Sequence, residues 1–547
     1  MSTVAERLLE SWLDSQTERR YQPAFIQMLV SEGWTVLHNT RHSPIELGKD
    51  VIARDPLGVL HCFQLKGNPG SRVTKSEAAG LLQQFHELIR LPPGPEFQND
   101  PQENHVAVFV TNGEIDEEAR LLFERAGAVC GQPGVAASRY ELWSRGKLLS
   151  MAKPSTRVWP ASIEATRLIL NLLAGDGREP PVPADISTIM ASLIPPTDAT
   201  SPAKTSALSG MLVVSEIIKQ RWYERENHQA LHTVTVLACI AALPLADTKE
   251  RLGMIEGYSP LALEHCSDLL TEAQEKNFEP DRAWTEGDLL GEIDVMWERR
   301  RLVADCAAIA LLGKRELPTE LRRYAADLVT RVTRQVMLWG QAQIPSLIVA
   351  FWARSLVDAG IGKEFDLAAT LSAVEQANGG DDERTMLPGP YYPWPDVWAL
   401  HQNKPHMTDT PIFNDSARGR LHFGRAMMGM LAKRNLKRTC AGLWADHTRV
   451  IHEEPELGDL VFFSAVLADE GSMRDIQLRT GVWADVVNEA IDGGAAPFLD
   501  SYASLAWLLA AYVSLVPYRA WTRVLLWLDQ QFGATWYHEG YRPNYNV

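Results

Sequence analysis

With 547 residues the chain is longer than one hydrophobic core organises, so two or three domains are expected. A hydrophobic share of 46% beside 22% charged residues excludes the disordered and fibrous classes. The net charge of −16 excludes a uniformly basic coat for nucleic acid, so contact with a polyanion would need a local basic patch. The cysteines Cys62, Cys130, Cys239, Cys266, Cys306 and Cys440 form no C-x-x-C pair and no regular framework, which argues against a disulfide scaffold and against structural zinc. Residues Met1 to Arg7 lack a basic stretch leading into an apolar one, and no later apolar run reads as long enough to span a bilayer. The expectation is a cytoplasmic protein with no membrane association.

Residues 20–32 carry Phe25, Ile26, Met28, Leu29 and Val30 near helical spacing, and Gly33 closes the helix before a strand at Trp34 to Leu37. Asp50 to Ala53 and Val59 to Lys66 read as two strands joined by Asp55-Pro56-Leu57-Gly58, a tight connection and therefore a hairpin. A helix is predicted over 75–90, then a proline-rich loop. The β-branched run His105 to Val110 follows as a buried strand ending at Thr111-Asn112-Gly113. Residues 114–127 read as helix, Tyr140 to Trp143 as strand, and Gly146 to Leu149 as a turn or helix. This order predicts an α/β domain with a mixed sheet flanked by helices over residues 1–155. Residues 156–205 read as a helix plus proline-rich linker, and 206–547 as a predominantly helical region with a break near 379–396. No fixed period marks a helical repeat.

Metal-assisted phosphodiester hydrolysis needs a carboxylate for the ion, a further oxygen ligand beside it, and a cation for the charge developing on phosphorus. Asp50, Gln64 and Lys66 supply these three groups. Alternation along the second hairpin strand puts Gln64 and Lys66 on one face and turns Phe63 and Leu65 toward a core. If the hairpin sets Asp50 opposite Gln64, the polar groups converge. Glu46, in the loop before Asp50, adds a third candidate metal ligand. Arg41, Lys49, Arg54, Arg72 and Lys75 surround the hairpin and are the candidate nucleic-acid contacts.

Glu46-Leu47-Gly48-Lys49-Asp50 followed by Gln64-Leu65-Lys66 resembles the acidic-x-Gly-x-Asp and Gln-x-Lys signature of Mrr-like restriction endonucleases, members of the PD-(D/E)XK superfamily. The likeness runs over residues 18–152 and includes the strand end at 108–113 and the closing Glu141-Leu142-Trp143 segment. It implies a restriction-endonuclease-like fold, DNA cleavage dependent on Mg2+ with Mn2+ as the alternative, and a place in defence against phage or other foreign DNA. One position departs from the pattern. Where the family's first helix has Phe-Glu, this chain has Tyr21-Gln22, so Gln22 stands where an acid would join the metal site, and Glu18 lies one turn earlier.

The expected activity is a DNA endonuclease whose helical region senses, oligomerises or recruits a protein partner. The competing readings are a catalytically silent module that grips nucleic acid, and a nuclease directed at RNA or single strands. Elsewhere, the basic stretch from Arg418 to Arg438 reads as an amphipathic helix with its apolar side in a core. His228 and His232, four apart on a helix, read as structural histidines, and the tryptophans of the C-terminal half as core anchors.

Overall fold

The computed structural model describes residues 4–39, 49–100, 102–156, 159, 162–276, 293–334, 338, 340–357, 363–379, 387–392, 397, 420–467, 473–478, 488 and 496–532. The chain forms two compact units. The first takes Met1–Arg178, Thr188–Glu226 and Ala242–Tyr258, and the second takes Glu179–Ser187, Asn227–Ala241 and Ser259–Val547.

The first unit begins with helices α1 (Val4–Ser15) and α2 (Glu18–Ser31), then strands β1 (Thr35–Asn39), β2 (Val51–Arg54), β3 (Leu60–Lys66) and the short β4 (Arg72–Val73). Helix α3 (Lys75–Arg90), β5 (His105–Thr111), β6 (Glu114–Ile115), α4 (Glu117–Gly127), β7 (Ala137–Trp143) and α5 (Arg145–Thr156) complete the α/β layer. Five strands form one sheet in the order β1-β2-β3-β5-β7. β1, β2 and β3 are antiparallel, while β3, β5 and β7 run parallel, so the sheet is mixed as the element order predicts. Helix α1 was absent from the expected order, although Leu9, Trp12 and Leu13 bury one helical face. The second addition is a separate parallel pair of β4 with β6.

Both faces of the sheet are covered, which explains the unbroken apolar run of β5. On one face, Val51, Ala53, Phe63, Leu65, Val106, Val108 and Val110 pack with Trp12, Phe25, Leu29 and Met151 from α1, α2 and α5. On the other, Ile52, Leu60, Cys62, Ala107 and Phe109 pack with Phe85, Leu88 and Phe123 from α3 and α4. The hairpin turn is held by Asp55, whose Oδ1 accepts from the Leu57 and Val59 amides at 2.9 Å each, with Gly58 at φ +83°.

The expected domain boundary is displaced. After α6 (Ile163–Ala174) and α7 (Pro183–Ala191), helix α8 (Ser201–Ile218) puts Val213 and Ile217 into the core that holds Phe63 and Leu65. Ser209 Oγ donates to the Gln27 carbonyl of α2 at 2.7 Å. After the short α9 (Gln220–Glu224), α11 (Lys249–Tyr258) closes this unit, and the Tyr258 hydroxyl lies 2.6 Å from Ser215 Oγ. The proline-rich 175–205 stretch thus does not end the first unit.

The second unit is mainly helical. It contains α10 (His228–Ala242, to residue 241), α12 (Pro260–Glu275), α13 (Ile293–Leu312), α14 (Thr319–Arg334), α15 (Ile344–Val357) and α16 (Lys363–Gly379). A small sheet also occurs, ordered Met473–Gln477, Ile451–Pro455, Arg420–Leu421, and this was not foreseen. Much of the expected break at 379–396 lies outside the described residues. Its described part is tied inward, with Leu387 N donating to Asn378 Oδ1 at 2.9 Å and Gln341 Nε2 donating to the Leu387 carbonyl at 3.1 Å, and residues Ser259–Val547 stay in a single unit. Arg418 is outside the described residues; Arg420 pairs with Glu453 and Asp475, Arg425 with Glu454, and Arg434 with Asp529, while Met427, Met428 and Met430 are buried. The stretch is a strand at Arg420–Leu421 and parts of two helices, Gly424–Lys433 and Lys437–His447, in place of one helix; Gly424–Lys433 buries its methionines, while Lys437 and Arg438 are exposed. Contrary to the expectation for apolar runs, His228–Leu245 and Pro497–Leu515 are long and apolar enough to cross a membrane, and 83% and 61% of these windows are buried within the protein, as core helices are.

A chain ended at residue 205 loses Val213 and Ile217 from the sheet's core, whereas one ended at 258 keeps them with the Ser215–Tyr258 contact. Denaturant unfolding should show the shorter chain less stable by several kcal/mol, at about 1.5–3 kcal/mol per fully buried aliphatic side chain; equal midpoints would contradict this assignment of α8. A pH effect follows from His105, buried with Nε2 donating to the Leu88 carbonyl at 2.9 Å and Nδ1 without a partner among the described residues. Burial lowers its pKa from 6.5 to about 4, so on acidification the unfolded chain takes the proton first. This stability is complete above about pH 6.5 and is lost as pH falls through 4. Thermal unfolding of wild type against His105→Gln over this window should show a shallower fall for the variant.

Candidate active site

The β2–β3 ladder pairs Val51 with Phe63 and Ile52 with Cys62, which carries Asp50 opposite Gln64. The Asp50 amide donates to the Phe63 carbonyl at 2.8 Å. Its carboxylate Oδ2 in turn accepts from the Leu65 amide at 2.5 Å and from Gln64 Nε2 at 3.3 Å. The expected convergence of Asp50 and Gln64 is therefore present. Phe63 and Leu65 lie in the α2-side core, as the alternation predicts. Gln64 itself is only 5% exposed, and among the described residues its buried Oε1 has no hydrogen-bond partner. Leaving such an acceptor unsatisfied costs about 1–3 kcal/mol.

Helix α2 supplies the opposite wall. Glu18, Tyr21 and Gln22 are spaced i, i+3, i+4 and so share one face. Glu18 Oε2 lies 3.1 Å from Lys66 Nζ. The Tyr21 hydroxyl donates to the Lys66 carbonyl at 3.2 Å, and Gln22 Nε2 reaches the Asp50 carbonyl at 3.5 Å, the limit of a hydrogen bond. Burial first, then the Glu18 and Asp50 carboxylates, push the Tyr21 phenol far above its ordinary pKa, so it stays a neutral donor. Asp50, Gln64 and Gln22 are buried, while the Lys66 and Glu18 side chains are 18% and 33% exposed, so the cluster opens to solvent on the lysine side.

The close approach of α2 to β3 depends on Gly67. A Cβ there would sit 2.4 Å from the Glu18 amide nitrogen and 3.0 Å from the Thr17 carbonyl carbon, backbone atoms that cannot move aside as a side chain would. Asn112, buried after β5, holds the other flank: its Nδ2 donates to the Leu13 and Gln16 carbonyls at 2.7 Å each, and its Oδ1 accepts from the Asn68 amide at 2.7 Å. Sequence reasoning took Asn112 only as part of a turn, because its partners are distant in sequence.

The remaining candidates divide. Glu46 and Arg41 lie outside the described residues. Lys49 is 2% exposed, and burial lowers its pKa despite Cys62 and Glu87 nearby, so it is not a surface contact for a phosphate backbone. Arg54 is held by Glu103 at 2.7 Å and donates to the Phe97 carbonyl, so its charge is spent within the fold. Arg72 and Lys75 have side chains 72% and 63% exposed, with Asp116 and Glu118 at 3.7 and 3.3 Å. Exposed pairs of this kind contribute roughly 0–1 kcal/mol and exchange readily for a phosphate. The basic cluster expected around the hairpin thus reduces, among the described residues, to these two and Lys66.

Chemically, a buried carboxylate beside an unsatisfied amide oxygen forms a hard-oxygen donor set suited to Mg2+. The adjacent ammonium provides the positive charge that phosphoryl chemistry requires.

Gly67→Ala should force α2 away from β3 and lower stability by about 1–3 kcal/mol, as overpacking does. Urea unfolding checks this, with Gly80→Ala, where nothing lies within 4 Å of the added Cβ, expected to leave stability unchanged or raised. Searches of protein-family models, curated proteins and solved structures return no match to this chain, so the chemistry assigned to this site rests on its own side chains.

Proposed function

We propose that the first unit is a Mg2+-dependent DNA endonuclease with a restriction-endonuclease-like fold, serving as the effector of an anti-phage or foreign-DNA defence system. The observation that carries this reading is the Asp50–Gln64 contact on the hairpin that also presents the Lys66–Glu18 pair, with the Gln64 Oε1 lacking a donor among the described residues. The mixed sheet and the motif likeness support it.

Asp50 and Gln64 would hold Mg2+, with Glu46 the further candidate. Such an ion supplies Lewis-acid polarisation of the scissile phosphate and a more acidic water. Lys66 places its ammonium at the solvent-facing edge of the cluster, where it meets the charge growing on phosphorus. Glu18 holds that ammonium and compensates for the amide at Gln22. Tyr21 fixes the Lys66 backbone and, being neutral, adds no charge. Arg72 and Lys75 are the residues left to follow the phosphate backbone. The helical second unit is assigned sensing, oligomerisation or recruitment of a protein partner.

A second reading has one observation in its favour. The 3.1 Å Glu18–Lys66 pair engages the lysine that catalysis needs, as in a silent nucleic-acid-binding module or an enzyme awaiting activation.

The test is conversion of supercoiled plasmid in Mg2+ by wild type, Asp50→Ala, Lys66→Ala and Glu18→Gln, with binding titrations for each and parallel single-stranded DNA and RNA substrates. Each of the first two variants should lose about 10²–10³-fold in rate while still binding. Cleavage confined to RNA or single strands would redirect the substrate assignment. Absence of cleavage by wild type on every substrate, with undiminished binding and gain of cleavage in Glu18→Gln, would show that the ion pair is a latch.

A further inference from the structure

The helical unit gathers ligand chemistry from positions that no local motif connects. His232 of α10, Cys266 of α12 and Cys306 of α13 each offer one ligand atom, and these atoms lie within 4.8 Å of one another. The three residues are 4%, 0% and 2% exposed. Cys266 Sγ is 3.2 Å from His232 Nδ1, and the Ala262 carbonyl oxygen is 3.0 Å from the same nitrogen. The Cys266 and Cys306 sulfurs lie within 4.8 Å of each other. One turn along α10, His228 meets His265 and Asp268 of α12 in a second group equally compact, and this one reaches the surface.

We propose that His232, Cys266 and Cys306 form a zinc site in the helical unit. The proposal concerns residues separate from the nuclease reading and stands without it. Two thiolates and a neutral imidazole carry two negative charges, so a divalent ion makes the set neutral, as burial of an ion requires. A monovalent ion would leave one charge uncompensated. Zinc bonds of about 2.3 Å to sulfur and 2.0–2.1 Å to nitrogen set a tetrahedral N···S edge of about 3.5 Å, which the 3.2 Å separation approaches. The Ala262 carbonyl oxygen stands beside Nδ1, and it or a water would take the fourth position. On binding, Zn2+ displaces the two thiol protons to solvent, and nothing is oxidised. Nδ1 now donates its proton to the Ala262 carbonyl, so metal binding also shifts that proton to Nε2, leaving the imidazole neutral with the Nδ1 lone pair on the ion. The His228, His265 and Asp268 group supplies donors at the surface that an incoming ion meets first.

All six cysteines are free thiols, so the pair is in the form that a metal needs. The proposal runs against the sequence expectation on structural zinc, which rested on the lack of C-x-x-C spacing, and the metal analysis below decides between them. It also gives His232 a role beyond that of a helix tie.

The experiment is metal analysis of the full chain purified without chelator and then exchanged into excess Zn2+ or Co2+ and desalted. About one zinc per chain is expected, falling at least tenfold in Cys266→Ser and in Cys306→Ser but not in Cys130→Ser. Because the serine variants can misfold, cobalt-loaded wild type gives a second readout: a thiolate-to-metal charge-transfer band with tetrahedral d–d absorption, which an oxygen-ligated Mg2+ site does not produce. Wild type that holds no stoichiometric metal, zinc retained by both serine variants, or an unreduced mass lighter by two hydrogens with a Cys266–Cys306 disulfide would each overturn the assignment.

Discussion

The ladder between β2 and β3 is the constraint on which the site depends. A slip of one residue would send Phe63 and Leu65 to the face lined by α3 and α4 and bring Leu60 and Cys62 round to the other. Because both faces are covered, neither side tolerates the exchange, and the register is determined twice over. Its functional consequence comes at the ladder's end, where pairing carries Asp50 opposite Gln64. There the Asp50 carboxylate accepts the Leu65 amide proton, a charge-assisted bond worth about 1.5–3 kcal/mol. The acid is thus fixed by the strand that carries its partners.

Around that anchor, the packing draws a polar cluster against an apolar core. Gly67 lets the start of α2 approach the end of β3, and Asn112 fastens α1 to the loop after β3. With α8 pressed on α2 through Ser209 and Val213, the helix bearing Glu18, Tyr21 and Gln22 is held from both sides. A low-dielectric wall strengthens every charge interaction inside it and raises the cost of leaving any unmade. Gln64 Oε1 shares its lack of a partner among the described residues with Gln27 Oε1, Ser31 Oγ, His61 Nδ1 and His105 Nδ1 of the same unit, and it differs from them in lying beside the Asp50 carboxylate.

Local pattern carried much of this fold. The 75–90 helix was legible from spacing, and Thr74 and Glu77 close its start with a capping box. The hairpin was legible from Pro56 and Gly58, and its register from the alternation of Phe63 and Leu65 about Gln64. What was not legible depends on contacts distant in sequence. The inward half of α8 is buried nearly all round, which marks a core helix without saying whose core it enters. Lys49 follows Gly48 and precedes Asp50 in a motif that suggested a surface cation, yet tertiary packing buries its stem and ammonium. The Glu18–Lys66 pair joins residues 48 positions apart, and its only sequence trace is the i, i+3, i+4 spacing of Glu18 with Tyr21 and Gln22.

The two ligand sets differ in a way that has consequences for each. Asp50 and Gln64 offer carboxylate and amide oxygens, hard donors that bind a small, hydrated divalent ion weakly enough to exchange with substrate. Cys266, Cys306 and His232 offer sulfur and imidazole in a closed interior, donors that favour a softer ion and retain it. The two proposed sites thus differ in donor chemistry and in accessibility, the sulfur and imidazole set buried within the helical unit and the oxygen set beside the partly exposed Lys66.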